Sequence, residues 1–345
     1  MTKQIMVGGV PIGGGAPVTI QSMTNTRTDD VEATLHQIRT LAAAGCEIIR
    51  VAVPDMAAAK AVGKIKEDSP IPVVVDIHFD YKLALEAIAA GADKVRINPG
   101  NIGGADHVKA VAQACAQRGV PIRIGVNGGS LEKPLLAKYG GVCPEAMVES
   151  AFGHIRLLNQ FDFDDICVSL KSSSVPMTMK AYQLMSQASD YPLHIGVTEA
   201  GTVRMGTLKS AVGIGGLLAL GIGDTMRVSL SADPVEEVYA AKEILKAAGV
   251  RKEGAELVSC PTCGRTRIDL IALANEVEER LKTVDKPITV AVMGCVVNGP
   301  GEASAADCGI AGGVGEGLLF KKGQIVKKVP QEQLVDELFA LIDTL

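Results

Sequence analysis

Three cysteines in the last quarter of the chain are spaced to share one metal centre: Cys260 and Cys263 in Cys260-Pro-Thr-Cys263-Gly, then Cys295 ahead of Asn298-Gly-Pro-Gly-Glu302. Thiolates select an iron–sulfur cluster or zinc over magnesium or calcium, and a carboxylate such as Glu302 in fourth place would leave one metal corner weakly held and exchangeable. An exchangeable corner points to chemistry rather than to a structural staple. A zinc ribbon is the competing reading of the Cys-Pro-x-Cys-Gly turn, but a ribbon is completed by a second Cys-x2-Cys pair, which the chain lacks. Cys308, thirteen residues beyond Cys295, rivals Glu302 for the fourth position on spacing alone.

A second group of chemically capable side chains precedes this one. Four β-branched runs repeat the order apolar, arginine, apolar, small or polar: Ile49-Arg50-Val51-Ala52, Val95-Arg96-Ile97-Asn98, Ile122-Arg123-Ile124-Gly125 and Met226-Arg227-Val228-Ser229. Side chains alternate across a strand, so the apolar neighbours face a helical layer and each arginine faces the other way. Further runs place Gln21, Asp76, His78, Lys171 and Glu199 near their C-terminal ends, with Asn127 closing the Arg123 run. Five inward cations, Arg50, Arg96, Arg123, Lys171 and Arg227, then outnumber two carboxylates, Asp76 and Glu199. An unpaired buried charge is costly, and the planar fork of arginine suits phosphate oxygens, so the expected ligand is an anion, a diphosphate above all. The bland alternative has single arginines paired with Asp76 or Glu199 or capping sheet carbonyls.

The elements that must position these groups follow from the periodicity. From residue 17 to about 250, β-branched runs alternate with longer, Ala-rich amphipathic stretches, the pattern of βα units around a parallel sheet. Strands are predicted at 18–23, 48–53, 73–78, 94–98, 122–127, 166–171, 193–199 and 226–230, each followed by a helix. Helix starts carry signals such as Asp29 three residues ahead of Glu32, and stops carry glycines such as Gly45, Gly91 and Gly119. Eight units in about 250 residues predict a TIM (β/α)8 barrel, whose active site is built at the C-terminal ends of the strands. A doubly wound sheet would want a glycine loop after its first strand, where Gln21-Ser-Met-Thr-Asn25 stands instead. The later Gly213-Ile-Gly215-Gly216 lacks the full dinucleotide spacing. After Gly249 come a charged linker at 251–256, the cysteine turn, a helix at 267–282, a strand at 288–293, a Gly-rich β segment near 309–326 and a helix at 331–345. The predicted domains are therefore a substrate-binding barrel over 1–250 and a small α+β iron–sulfur domain over 251–345.

Composition bounds the partners. The chain has 345 residues, 47% of them hydrophobic, with a formal net charge of −5, which fits a globular protein and argues against a nucleic-acid or membrane-surface partner. The opening residues lack the apolar core of a secretion signal, and the most apolar stretch, 211–222, is too short to span a bilayer, so a cytoplasmic location is expected. In a reducing compartment Cys46, Cys115, Cys143 and Cys167 read as small core residues.

The stretches Gln21-Ser-Met-Thr-Asn-Thr26, Arg50-Val-Ala-Val-Pro, Asp76-Ile-His78-Phe, Val95-Arg-Ile-Asn-Pro-Gly100, Arg123-Ile-Gly-Val-Asn127, Ser169-Leu-Lys171, Thr198-Glu-Ala-Gly201, Gly223-Asp-Thr-Met-Arg-Val-Ser-Leu230 and both cysteine motifs together resemble the bacterial 4-hydroxy-3-methylbut-2-enyl diphosphate synthase family of the non-mevalonate isoprenoid pathway. The resemblance implies a barrel with a [4Fe-4S] domain, reductive ring opening of methylerythritol cyclodiphosphate, and flavodoxin or ferredoxin as the donor of single electrons. It carries over Cys260, Cys263, Cys295 and Glu302 as cluster ligands, Glu199 as the acid in the barrel, and the five cations as diphosphate-binding residues. Asp76, His78, Asn98, Asn127 and Ser229 are the remaining expected substrate-binding positions. Gly128 departs from a commoner Ala, and Val203 and Met205 flank Arg204 in a variable loop.

A barrel's last helix runs back to the pole opposite the mouth, and the eleven residues from Gly249 to Cys260 reach only about 35 Å when extended. A homodimer with each cluster domain over the partner's barrel is therefore expected, in agreement with the resemblance. Two other readings of the residues are a pterin-type barrel synthase with a structural zinc domain, and a non-enzymatic metal-binding scaffold. Both predict a colourless protein.

Overall fold

The structure, a computed structural model, describes residues 1–98, 100–252, 254–295 and 303–345. It divides into two compact units, Met1–Val250 and Arg251–Leu345.

The first unit opens with a hairpin of β1 (Ile5–Val7) and β2 (Val10–Ile12). Eight parallel strands follow: β3 (Thr19–Met23), β4 (Ile48–Ala52), β5 (Val73–Asp76), β6 (Lys94–Ile97), β7 (Ile122–Asn127), β8 (Ile166–Lys171), β9 (His194–Ile195) and β10 (Thr225–Met226). Their order runs β8-β7-β6-β5-β4-β3-β10-β9, and the Val168–Leu193 bridge brings the two ends together. The register fixes the barrel's shear. From Gln21 one crosses to Ile48, steps two residues to Arg50, crosses to Val74 and Lys94, steps two to Arg96, and crosses to Arg123 and Cys167. Two further steps across the Val168–Leu193 bridge reach His194, Thr225 and Thr19, two residues short of the start. The circuit returns eight residues out of step, the shear of a TIM barrel.

Helices α1 (Val31–Ala44), α2 (Met56–Asp68), α3 (Tyr81–Ala89), α4 (Ala105–Arg118), α5 (Lys133–Tyr139), α6 (Pro144–Asn159), α7 (Val175–Ala188), α8 (Val203–Ser210), α9 (Gly216–Ala219) and α10 (Pro234–Ala247) form the outer layer. Their apolar stripes pack on the outward strand residues, such as Ile49, Val51, Val95 and Ile97, in one continuous core. The start of α1 is capped by Asp30, whose side chain accepts from the Ala33 amide, while Asp29 is turned outward to Arg27. Gly45 ends that helix at φ 108°, a left-handed geometry that glycine takes without strain.

The Gly213-Ile-Gly215-Gly216 stretch forms a π-helical turn, Ala211–Gly215, running into α9. A Cβ on Gly213 would lie 2.7 Å from a Val197 methyl, and one on Gly216 would lie 2.8 Å from the Met179 terminal methyl. These glycines serve close helix packing, not phosphate binding. Cys46, Cys115 and Cys167 are buried, whereas half-buried Cys143 is the N-cap of α6, its sulfur accepting from the Ala146 amide.

In the second unit, β11 (Glu256–Ser259), β12 (Thr289–Met293), β13 (Cys308–Gly312), β14 (Glu316–Lys321) and β15 (Gln324–Pro330) form one sheet in chain order, parallel through β13 and antiparallel beyond. Helices α11 (Leu270–Leu281) and α12 (Leu334–Asp343) bury Leu273, Val277, Leu334 and Leu338 on one face of it. The other face carries Ala291, Met293, Ala311 and Phe320, with Cys260 packed alongside. Strand β11 is not among the predicted elements: it begins at Glu256, the last residue of the expected linker, and runs up to the cysteine turn. Among the described residues, no helix is long and apolar enough to cross a membrane.

Candidate active site

The N-terminal end of the barrel is sealed from inside. Ile48, Val74 and Cys167 point inward there and are covered by Ile5, Val7 and Ile12 of the hairpin. Burying each of these three hairpin side chains contributes about 1.5–3 kcal/mol. The hairpin thus closes this end, and the C-terminal mouth is left as the side from which a ligand enters.

With a shear of eight in eight strands, alternate strands fill each layer of the interior. The register places Lys94 and Thr225 in the deepest layer, beside Ile48 and Cys167; Gln21, Arg123 and His194 lie next, with Val74. Above them come Arg50, Arg96 and Arg227 with Ser169, then Asp76 with Met23 and two glycines, and finally Lys171, Asn98 and Ser229. The glycines make room. A Cβ on Gly125 would lie 2.5 Å from Arg96 Nε, and one on Gly196 would lie 2.7 Å from Lys171 Nζ. Gly125→Ala is accordingly expected to displace the Arg96 guanidinium and to cost about 1–3 kcal/mol of stability, read from denaturant unfolding; an unchanged midpoint would contradict the packing.

Among the described residues, two carboxylates face these cations. Asp76 accepts from Arg96 Nη1 at 2.9 Å and lies 3.5 Å from Arg50 Nη1. Although burial opposes it, the Arg50 and Arg96 charges hold its carboxyl down at about 2. The other is Glu237, which enters from α10 and clasps Arg227 through both oxygens, at 3.1 Å to Nε and 3.0 Å to Nη2. The sequence expectation of Glu199 as the second inward carboxylate is thereby corrected. Glu199 is exposed, on the loop after β9, with φ 52°. A desolvated setting for that side chain is not formed in the barrel, because the loop carries it above the sheet rather than into the layers. Its left-handed backbone costs about 1–2 kcal/mol in a residue with a Cβ, and such strain gathers at functional positions.

The remaining cations are less compensated. Arg123 is 1% exposed, and its Nε and Nη1 find no hydrogen-bond partner among the described residues; neither does Arg96 Nε. Burial pushes Arg123 down to about 10 and Lys171 well below its usual value. His78 is exposed at the rim, its Nε2 3.9 Å from Asp76. Asn98 is buried and accepts from the Gly100 amide, Asn127 and Ser229 are half-buried near the mouth, and Arg204 is exposed on α8.

Three interior groups escaped the sequence reading: Lys94, His194 and Glu237. Lys94 and His194 are fully buried, with Nζ and Nε2 unpartnered among the described residues. Lys94 stands two residues before Arg96, the same side of the strand, which was the available signal. Glu237 lies on the buried stripe of α10 with Ala241 and Ile244, and a carboxylate on an apolar stripe is a signal in itself.

In the second unit, Cys260 directly follows β11 and Cys295 lies just beyond β12, at the same end of two parallel strands. The Gly294 amide donates to Cys260 Sγ at 3.1 Å, and the Arg265 amide, helped by its guanidinium, draws the Cys263 thiol below its ordinary value. Such donors favour thiolates, which suits a thiolate-ligated cluster. Cys308 is set apart: it pairs in register with Val290, whereas Cys260 follows the residue level with Val292, a separation of about 10 Å along the strands. Burial also pushes its thiol up to about 11. Glu302 lies outside the described residues. Among those described, no three His, Cys, Asp or Glu side chains converge as a metal group.

Residues 2–242 match the GcpE TIM-barrel domain, and residues 256–344 match the GcpE protein C-terminal domain. The chain belongs to the GcpE family. It is 63% identical over 342 residues to the 4-hydroxy-3-methylbut-2-en-1-yl diphosphate synthase (flavodoxin) of Geobacter sulfurreducens, covering 99% of this chain and 97% of that one. With the protein of the same name from Clostridium acetobutylicum it shares 58% over 344 residues, covering 100% and 99%. Among solved structures, a sialic acid synthetase from Leptospira borgpetersenii is 15% identical with TM-score 0.53, over 72% of this chain and 90% of that one. The Yersinia pestis dihydropteroate synthase is 14% identical with TM-score 0.50, over 73% and 100%. At these identities the two share the barrel fold with this GcpE family member and nothing about its chemistry follows from them.

Proposed function

We propose that the chain reductively opens and dehydroxylates 2-C-methyl-D-erythritol 2,4-cyclodiphosphate to 4-hydroxy-3-methylbut-2-enyl diphosphate, taking electrons singly from flavodoxin or ferredoxin. The observation that carries the substrate reading is the charge of the barrel's interior: among the described residues, Arg50, Arg96, Arg123, Lys171 and Arg227 face only Asp76 and Glu237. A diphosphate supplies the missing negative charge and fits guanidinium forks.

In this reading Asp76 orients Arg50 and Arg96, while Arg123 and Lys171, which have no carboxylate of their own among the described residues, bind phosphate oxygens outright. Asn98, Asn127, Ser229 and His78 supply further hydrogen bonds toward the mouth. Glu199, on the rim, hands a proton to the departing oxygen, which leaves as water. The hairpin plug excludes water from below. Cys260, Cys263, Cys295 and Glu302 are the residues that would hold a [4Fe-4S] cluster, with Cys308 outside the set. When bound, such a cluster supplies the reducing electrons one at a time, which a hydride carrier does not.

A homodimer is proposed as the active form, each C-terminal unit serving the partner's barrel, since the short connection after α10 restricts its reach to its own mouth. Anaerobically purified protein is expected to be brown, to hold about four iron and four sulfide per chain, and to turn over the cyclic diphosphate with reduced flavodoxin. Colourless, zinc-loaded protein would instead support the pterin-type synthase with a structural zinc domain.

A further inference from the structure

Arg227 differs from the other barrel arginines in how it is held. The β10–β3 ladder ends at the Met226–Ile20 pair, and just above it Glu237 approaches from the first turn of α10. Glu237 is 4% exposed and its carboxylate is fully engaged. Beyond the two Arg227 bonds it accepts from Ser22 Oγ at 3.1 Å and from the Leu230 amide at 3.1 Å. Both supports belong to barrel strands or their immediate continuation, so the carboxylate is fixed to the barrel wall and not merely to its helix. The bidentate clasp occupies the Nε and Nη2 edge of the guanidinium. Nη1 is left over, and it lies 3.8 Å from the sulfur of inward-facing Met23, which Arg50 also approaches, at 2.9 Å from Nη2.

We propose that Glu237 is the positioning residue for Arg227, turning the free edge of its guanidinium toward the diphosphate. The inference rests on the diphosphate reading above. Arg227 shares its layer with Arg50 and Arg96, and like charges at that range push one another apart. A cation in such a ring keeps one orientation before the anion arrives only if something holds it. The clasp does so, and it orders the fork in advance, which lowers the cost of binding.

The test is Glu237→Gln, which keeps the size of the side chain and removes the charge; its one oxygen can still accept from the Leu230 amide, while its NH2 donates to the Ser22 hydroxyl, which can accept. Inorganic pyrophosphate, titrated calorimetrically into the full-length protein, is expected to bind about tenfold more weakly, and KM for the cyclic diphosphate to rise by a similar factor with kcat within about twofold. In an Arg227→Met background the same change is expected to add nothing. A role confined to tying α10 to the barrel would lower the melting temperature and leave Kd and KM unmoved, and that result would overturn the proposal. Should Glu237→Gln fail to fold, Glu237→Asp retains the charge but withdraws the carboxylate by one methylene; unaltered pyrophosphate affinity there is equally fatal. Wild-type protein that does not bind pyrophosphate at all would strike the diphosphate reading itself and the inference with it.

Discussion

Glu199→Gln is expected to retain pyrophosphate affinity and iron content while kcat falls by about 10²- to 10⁴-fold, the usual worth of a positioned general acid. The amide matches the carboxyl in size and hydrogen bonding but has no acidic proton to give. Glu199 is exposed on the mouth loop and, among the described residues, makes none of the ion pairs that organise the cations, so its loss leaves the proposed diphosphate site intact. Its φ of 52° is kept by the Gln variant, which separates the chemistry from the backbone strain. Turnover equal to wild type would refute the role.

Lys94→Met is expected to stabilise the protein by about 3 kcal/mol at pH 7, because a buried ammonium with no partner among the described residues is removed and a side chain of similar length fills its place. Burial pushes Lys94 down from 10.5 to about 8, against a weak opposing pull from Cys167. The sign follows from the direction. A cation whose folded pKa is depressed is charged more readily in the unfolded chain, so it destabilises the fold. That penalty is fully present below pH 8 and fades as pH rises toward 10.5, where both states are neutral. The gain on substitution should therefore be largest near neutrality and vanish above about pH 10, as read from urea unfolding at several pH values. A destabilised variant at pH 7 would show that Lys94 is held by a partner after all. Retaining so costly a group is a sign of use, since proteins tolerate instability where function needs it.

Much of the site was legible because strand parity is a local property. The apolar-Arg-apolar pattern puts Arg50, Arg96 and Arg123 on the inner side whatever the rest of the chain does. Lys94 obeys the same rule from one step deeper, and escaped because a lysine opening a strand reads equally well as a solvated end. His194 escaped for a related reason: β9 spans only His194–Ile195, with Leu193 bridged to Val168 just before it, so the predicted run 193–199 overstated the strand, and Glu199 was assigned to an inner face that the loop never has. The π-helical turn shows the converse case, since glycine spacing alone does not say whether the missing Cβ admits a phosphate or a neighbouring methyl.

The sequence by itself determined the alternation of strands and helices, the inward direction of the arginines, the boundary of texture near residue 250 and the spacing of Cys260, Cys263 and Cys295, all of which are written in spacings of a few residues. Only the tertiary structure decided which carboxylate meets which cation. Glu237 reaches Arg227 because the β10–β3 ladder stops at Met226, and Cys308 stands apart from Cys260 because parallel register sets it level with Val290. Pairings of that kind depend on shear and register, which are summed over the whole barrel or sheet and so are carried by no single segment.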